Sequence, residues 1–457
     1  MKLLNWLNKP KKPFGLGLFR MIFGIIILWD LKRFNDIKIV ESFYTHDIIF
    51  PYEFINLPLL EEGLMNLLMV LLSLSAICIT LGILYRWAML IFAIGFSYFF
   101  FLDQVLYNNH LYMLCILSFM MVFIPADAAF SLNGKRKRAT VPNWAYLLPQ
   151  FQVVVVYFFG GIVKMNPYWF DFHPVEEALN IAATRSGSEF LRADWIKYLF
   201  TYGGIFFDLL IGPLLWFAKT RKYALILAVL FNLTNSYIFN DIFIFPFFMI
   251  TALLLFFDQE KLAALLLKKK WISAKRSSVP AKGIGMIGMG VILAYVLFQL
   301  IMPLRHYFVP GYADWTGESQ RFSWRMKIQH REINEIYFAI FDVDKKEIHD
   351  INPSKYLYPD EIVQMCNSPE MILQFAQYLK DVVAERNGVE NSWIRCKINV
   401  SFNGLPSTLI FDPALNLIEE HEKNDSFYDW MNPLPMKNSI AVPISNTTIS
   451  EDMMKGG

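Results

Sequence analysis

Charge is scarce in this sequence. Only 18% of its 457 residues are Asp, Glu, Lys or Arg, against about a quarter in an ordinary soluble domain. That shortage excludes a simple water-soluble globule of this length. Neither sign is in surplus. The formal net charge is +2, and the basic residues sit in short loops between apolar runs, which argues against a nucleic-acid partner. Cysteine is scarce too. No CxxC pair or zinc spacing links Cys78, Cys115, Cys366 and Cys396, so no metal is expected. The first two lie inside apolar runs as packing residues. Cys366 and Cys396 lie in a polar region, where an oxidising compartment would permit a disulfide that spacing alone does not demonstrate. A cleavable signal peptide is missing: the first long apolar run lacks a small-residue cleavage site and reads as a retained span. No internal repeat of the kind common in transporters is visible.

What fills the sequence instead is apolar mass, 55% of all residues with 16% aromatic. It is concentrated before Pro303. Runs near 15–31, 64–84, 87–102, 110–126, 146–164, 200–218, 222–239, 242–257 and 283–303 approach the roughly 17–25 residues a membrane helix needs, giving about nine spans. Lys135 to Arg138, Lys219 to Lys222, Lys268 to Arg276 and the basic N-terminus all fall on one side, which the positive-inside rule makes cytoplasmic. Lys32 and Arg33 run against that pattern. An odd span count then places the C-terminal part outside, in the periplasm or an equivalent lumen. Residues 258–276 read as an interfacial helix on the inner leaflet. The outer loop 165–199, with Glu176, Glu177, Arg185 and Arg192, reads as an amphipathic cover over the helix ends.

From Leu304 the pattern changes. Residues 321–328, 332–343, 393–401 and 406–411 alternate as strands, and 368–387 reads as a helix opened by Ser368-Pro369-Glu370. The expected fold is therefore a polytopic α-helical membrane protein with a C-terminal extracytoplasmic α+β domain rich in strands. Residues 1–303 form the helical part, 304–424 the outer domain, and 425–457 a flexible tail.

Two ionisable residues stand where apolar runs meet water. His110 opens the fourth run after Tyr107-Asn108-Asn109, and Lys164 closes the fifth after Gly160-Gly161. Such groups are costly in a bilayer unless snorkelled, paired or set in a wet cavity. Lys164 as a snorkelling lysine is the plainer account. A desolvated lysine able to serve as a base is the sharper one. His110 with Asn109 could hydrogen-bond a ligand oxygen, or simply begin a helix. Our reading sets Lys164 and His110 across a pocket, doing proton chemistry on a lipid-soluble substrate, with Tyr107 and Tyr157 as ring-stacking walls. Asn232, inside the seventh run, either joins helices or lines the same pocket. Arg20 and Asp30 read as structural charges. Arg185, Arg321 and Trp324 are candidates for holding an acidic peptide from outside.

Together the following residues carry a resemblance: Leu18-Phe19-Arg20 with Phe23-Gly24, Leu81 to Arg86, Leu102-Asp103, Asn108-Asn109-His110, Val141-Pro142 with Trp144, Tyr157 to Lys164 with Trp169, and Asn235-Ser236. In the outer part it extends to Gly311-Tyr312, Trp315-Thr316, Phe322-Ser323-Trp324 and Ile410 to Pro413. In their order and spacing, the chain resembles the vitamin K-dependent gamma-glutamyl carboxylases, whose membrane part is the horizontally transferred transmembrane domain. The resemblance implies oxidation of vitamin K hydroquinone by O2 to the epoxide, coupled to carboxylation of protein glutamate with CO2. It makes Lys164 the base, and Asn109 and His110 pocket residues beside the quinone. It also implies a glutamate-containing peptide or protein as partner, within a lipid bilayer. Asn232 stands where the animal enzymes carry a histidine, and Ser319-Gln320 where they carry Leu-Tyr. The alternatives are a quinone epoxidase with another acceptor, or a binding or transport protein on the same scaffold.

Overall fold

The computed structural model describes residues 1–45, 47–132, 139–239, 241–268, 283–423 and 427–434. Long apolar runs have nowhere to satisfy their backbone except in helices, and the first 300 residues fold accordingly. The main helices are α1 (Phe14–Asp36), α2 (Glu62–Leu81), α3 (Tyr85–Leu102), α4 (Asn109–Phe123), α5 (Trp144–Val163), α6 (His173–Ser186), α7 (Asp194–Trp216), α8 (Arg221–Ile238), α9 (Phe245–Ala252), α10 (Gln259–Lys268) and α11 (Met286–Ile301). Each expected span falls on one of these. Six are long and apolar enough to cross a membrane: α1 with its continuation to Thr45, α2, α3, α5, α7, and α11 with its continuation to Phe308. The expectation of about nine crossings is thus not confirmed: among the described residues six helices meet that measure. Helix α4 and the stretch Phe245–Phe256 are apolar but short, and α8 carries Arg221, Lys222, Asn232 and Asn235 within its 18 residues. Leu67, Val70, Leu71 and Leu74 on α2 are exposed, the apolar outer face that a bilayer would cover.

Buried charge in this part is structural where the sequence suggested it. Arg20 is fully buried and donates to the carbonyls of Ile79 (2.6 Å), Thr80 (3.1 Å) and Phe130 (2.7 Å). It thereby closes the C-terminal end of α2, whose last carbonyls have no helical partner. Gly82 ends that helix at φ +69°; a Cβ there would lie 2.5 Å from the Arg20 guanidinium. Asp30 pairs with Arg33 one turn on, at 2.8 Å. The basic loop at Lys135–Arg138, residues 269–276 of the inner segment, and residues 435–457 of the tail lie outside the described residues.

The C-terminal part is built on an antiparallel sheet of β1 (Arg331–Asp342), β2 (Glu347–Ile351), β3 (Ser392–Phe402) and β4 (Thr408–Leu409), in the order β2-β1-β3-β4. Alternation puts Phe338 opposite Cys396, and Ile340 opposite Ile394, on one face. Helices α12 (Pro359–Cys366) and α13 (Pro369–Tyr378) cover that face, with Phe375 edge-on to Phe338 at 5.0 Å. Cys366 and Cys396 are buried free thiols, and burial pushes the Cys366 thiol up to about 12.

Two expectations change here. Residues 321–328 form turns rather than a strand, with Ser319, Phe322, Trp324 and Lys327 at φ 59°, 60°, 57° and 54°, a left-handed backbone that no strand adopts. The second concerns residues 427–434, which the sequence places in a flexible tail. Residues Phe427–Trp430 form a helical turn, Trp430 packs against Phe411 at 5.2 Å, and the Asn432 N–H donates to the Ile410 carbonyl at 2.7 Å.

Candidate functional site

The site is set by a close helix crossing. Small residues let helices approach when the surroundings are as apolar as the helices themselves. On α5, a Cβ at Gly161 would lie 2.9 Å from the Leu209 side chain; on α7, a Cβ at Gly212 would lie 2.6 Å from Val154. With the two helices thus apposed, Lys164, the residue ending α5, reaches Asp208 in the middle of α7. Its Nζ lies 2.5 Å from Asp208 Oδ2, with the side chains only 13% and 6% exposed. Asn166 secures the turn that follows. Its amide donates to the Val163 carbonyl (2.7 Å) and its oxygen accepts from the Trp169 N–H (3.0 Å). Trp169 Nε1 donates in turn to the Thr201 carbonyl on α7 (3.2 Å), and the indole face lies 5.4 Å from the Lys164 nitrogen.

Lys164 and Asp208 line a cavity of about 520 Å³ together with Tyr157, Asn232, Trp169 and Met326. The Asn232 amide donates to the Tyr157 hydroxyl and to the Ala228 carbonyl, each at 2.8 Å, which fixes both side chains in the wall. The rest is aliphatic and aromatic, and Phe206, Leu210, Leu227 and Leu230 line it while remaining exposed on the outer surface of α7 and α8. The cavity therefore opens sideways, toward the face a bilayer covers. From α6, predicted as a cover, Val175, Ala178 and Leu179 form part of its wall.

The other sequence candidates divide. Tyr157 and Asn232 are in the cavity wall beside Lys164; His110, Asn109 and Tyr107 are not among its lining residues. His110 is buried, its ring 6.4 Å from that of Phe243, and its Nε2 has no hydrogen-bond partner among the described residues. Asn109 donates to the Arg325 carbonyl (2.8 Å) and accepts from the Tyr107 hydroxyl (3.3 Å), which itself accepts from the Phe322 N–H (2.5 Å). These residues hold the segment 321–328, whose far end, Met326 and Lys327, lines the cavity. Arg321 lies between the rings of Tyr52 and Tyr107, bonds Gln104, and is 3.3 Å from Glu370. Trp324 is fully buried against Tyr112, ring centres 5.0 Å apart. Neither lines the cavity.

Arg185 lies elsewhere, donating to the Tyr237 carbonyl and lining a second, more polar cavity of about 320 Å³ with Glu177, Asp241, Lys327, Gln329 and His330. The two cavities share Ala178, Ile238, Phe239 and Lys327, and Lys327 is paired with Asp241.

Asp208 is the site residue that sequence reasoning missed. A signal existed: it is an acid within an apolar run, and an intramembrane acid has the same claim to attention as an intramembrane lysine.

Residues 8–260 match the HTTM domain family, and residues 285–437 match the family described as the vitamin K-dependent gamma-carboxylase lumenal domain. No solved structure matches the chain.

Proposed function

Because the chain belongs to the vitamin K-dependent gamma-carboxylase family, we propose that it oxidises a membrane-dissolved hydroquinone in the Lys164 cavity. The oxidation, by O2, is coupled to carboxylation of a glutamate side chain with CO2. The observation that carries this reading is a polar pair, Lys164–Asp208, in an otherwise apolar chamber that opens toward the bilayer.

The residues present fit a reduced naphthoquinone. The cavity volume is within the range of small-molecule sites. The aromatic wall of Tyr157, Phe207, Phe231 and Trp169 suits a flat ring, and the opening between Phe206, Leu210, Leu227 and Leu230 suits an isoprenoid chain that stays in lipid. When bound, the reduced quinone supplies, with oxygen, the strong base that an amine cannot be for a glutamate γ-carbon. The protein's own part is to bind, to exclude water and to accept a proton. The Lys164–Asp208 pair would meet the substrate hydroxyl and take up its proton; Tyr157, held by Asn232, would offer a phenolic oxygen for hydrogen bonding; the apolar wall keeps bulk water from the reacting atoms. Asn109 and Tyr107 support the chamber through segment 321–328. The acceptor's route is the second cavity, on the side of the outer domain, where Arg185, Lys327 and His330 suit a carboxylate. The outer domain is then extracytoplasmic, in keeping with the lumenal description of its family, and an odd number of crossings would set the N-terminus in the cytoplasm.

Incubation of the detergent-solubilised protein with reduced vitamin K, bicarbonate and a glutamyl peptide, reading epoxide and added carboxylate separately, tests the proposal. Wild type is expected to form both, and Lys164→Ala to lose epoxide formation by about 100-fold or more while remaining folded. Undiminished epoxide in Lys164→Ala removes that residue from the chemistry. A second reading, hydroquinone oxidation with a different acceptor, is favoured by Arg321 and Trp324, which make internal contacts and line neither of these two cavities. Epoxide without carboxylate would decide for it.

A further inference from the structure

The amine of Lys164 is not free. Its nitrogen lies 2.5 Å from Asp208 Oδ2, inside the helix crossing, close enough for a charge-assisted hydrogen bond in which the ammonium donates. A lysine so engaged has no lone pair to offer. The lone pairs in this corner of the cavity belong to the carboxylate. We propose, on the basis of the function argued above, that Lys164 and Asp208 form one proton-accepting unit, in which the Asp208 carboxylate receives the hydroxyl proton of the hydroquinone and the Lys164 ammonium holds the resulting anion.

Three observations support this assignment. Among the described residues lining the cavity Asp208 is the sole carboxylate, and the other lining cation, Lys327, is engaged by Asp241 at the boundary with the second cavity. Both partners are exposed to the same space. The helix surfaces around them are glycine: an added Cβ at Gly160 would stand 3.6 Å from Asp208 Oδ2, and one at Gly204 would stand 3.9 Å from Lys164 Nζ. A substrate hydroxyl sliding over these two glycines meets the nitrogen and the carboxylate oxygen together. Finally, the pair begins uncharged overall, which is the cheaper state to bury.

The step balances. The hydroquinone O–H bond breaks and its electron pair stays on the quinone oxygen. The proton bonds to an Asp208 oxygen, which becomes a carboxylic acid. The substrate passes from neutral to −1 and the unit from neutral to +1, so that charge is compensated within the chamber. Asp208 thus shares the base's role with Lys164, and no co-reactant is needed until oxygen enters.

The test uses the full-length protein with Asp208→Asn, which keeps shape and removes the accepting charge, and Asp208→Glu, which restores it. Vitamin K hydroquinone binding is measured anaerobically by calorimetry, and infrared difference spectra are recorded on binding. Epoxide formation is followed separately in air. The expected result is binding within about threefold of wild type in Asp208→Asn, a fall in kcat of about 100-fold with little change in KM, and partial recovery in Asp208→Glu. In wild type, anaerobic binding should bring up the C=O stretch of a protonated carboxyl group, absent in Asp208→Asn and displaced in Asp208→Glu. If Asp208→Asn does not fold, the wild-type and Asp208→Glu spectra decide alone. Wild-type kcat in Asp208→Asn, or wild-type binding without the carboxyl band, overturns the shared base and leaves the proposed function standing. A wild-type protein that neither binds nor oxidises hydroquinone overturns both.

Discussion

Gly204 faces the Lys164 amine across open space, with no other atom within 4 Å of where its Cβ would stand. Alanine there suits the helix better than glycine by about 1 kcal/mol, so Gly204→Ala should leave the thermal midpoint unchanged or slightly raised. The same methyl stands over the amine, so hydroquinone oxidation should fall about tenfold or more; oxidation at the wild-type rate would show that substrate does not approach over this glycine. At this scale much of the site was legible. Lys164, Tyr157 and Asn232 could be picked out because polar groups are conspicuous in apolar helices. Asp208 was not, since its meaning depends on which helix α7 crosses, and Gly161 and Gly212 settle that only in three dimensions. The pairing of Lys164 with an acid also changes its chemistry from that of a lone desolvated amine.

The segment from Ser319 to Ile328 shows why an element can be misread. Phe322, Trp324, Met326 and Ile328 alternate with polar residues as a strand would. Yet four residues from 319 to 327 have φ near +60°, and the aromatic side chains are spent on the helical part: Phe322 against Tyr107 and Tyr112, Trp324 against Tyr112. Tertiary packing overrides the local period, because a left-handed residue costs about 1–3 kcal/mol and burying such rings returns more. Trp324→Ala should therefore cost about 3–5 kcal/mol, lowering the unfolding midpoint and making the 319–328 segment sensitive to limited proteolysis. If the variant resists protease as wild type does, the segment is held by something other than this ring. In the outer domain β1, β3, β4 and α13 were legible, and α12 was not. Ser368-Pro369-Glu370 marks the start of α13 by local chemistry alone, whereas β2 went unseen because Glu347–Ile351 has little alternation of its own.

Seen whole, the outer domain is fastened to the helices by polar contacts at their ends. Gln104 donates to Glu370 at 2.5 Å, Gln374 to the Pro51 carbonyl at 2.9 Å, and Arg321 bridges Gln104 and Glu370. Nearby, burial pushes the Glu361 carboxyl up from its ordinary 4.5 to about 7. The folded protein therefore binds that proton more tightly than the unfolded chain. Its contribution to stability is full below about pH 4.5 and is lost as pH rises through about 7, on the order of 1–2 kcal/mol after discounting for solvent screening at a partly exposed carboxyl. Wild type should lose thermal stability between about pH 5 and pH 8, and Glu361→Gln should lose less; parallel curves would show that another group sets the slope. The division into an apolar part and a mixed α+β part was plain from composition. The number of crossings was not, because hydropathy cannot distinguish a short helix packed within the bundle from one that traverses the bilayer.

One side chain belongs to two rooms. Lys327 forms part of the wall of the oily chamber and of the watery one, and leans on Asp241 where they meet. A reagent that arrives by lipid and one that arrives by water would thus meet at a thin partition of Ala178, Ile238, Phe239 and Lys327, and the last of these bears a charge that an incoming acid could draw away from its partner. Arrival of the second reagent would then itself unlatch the partition.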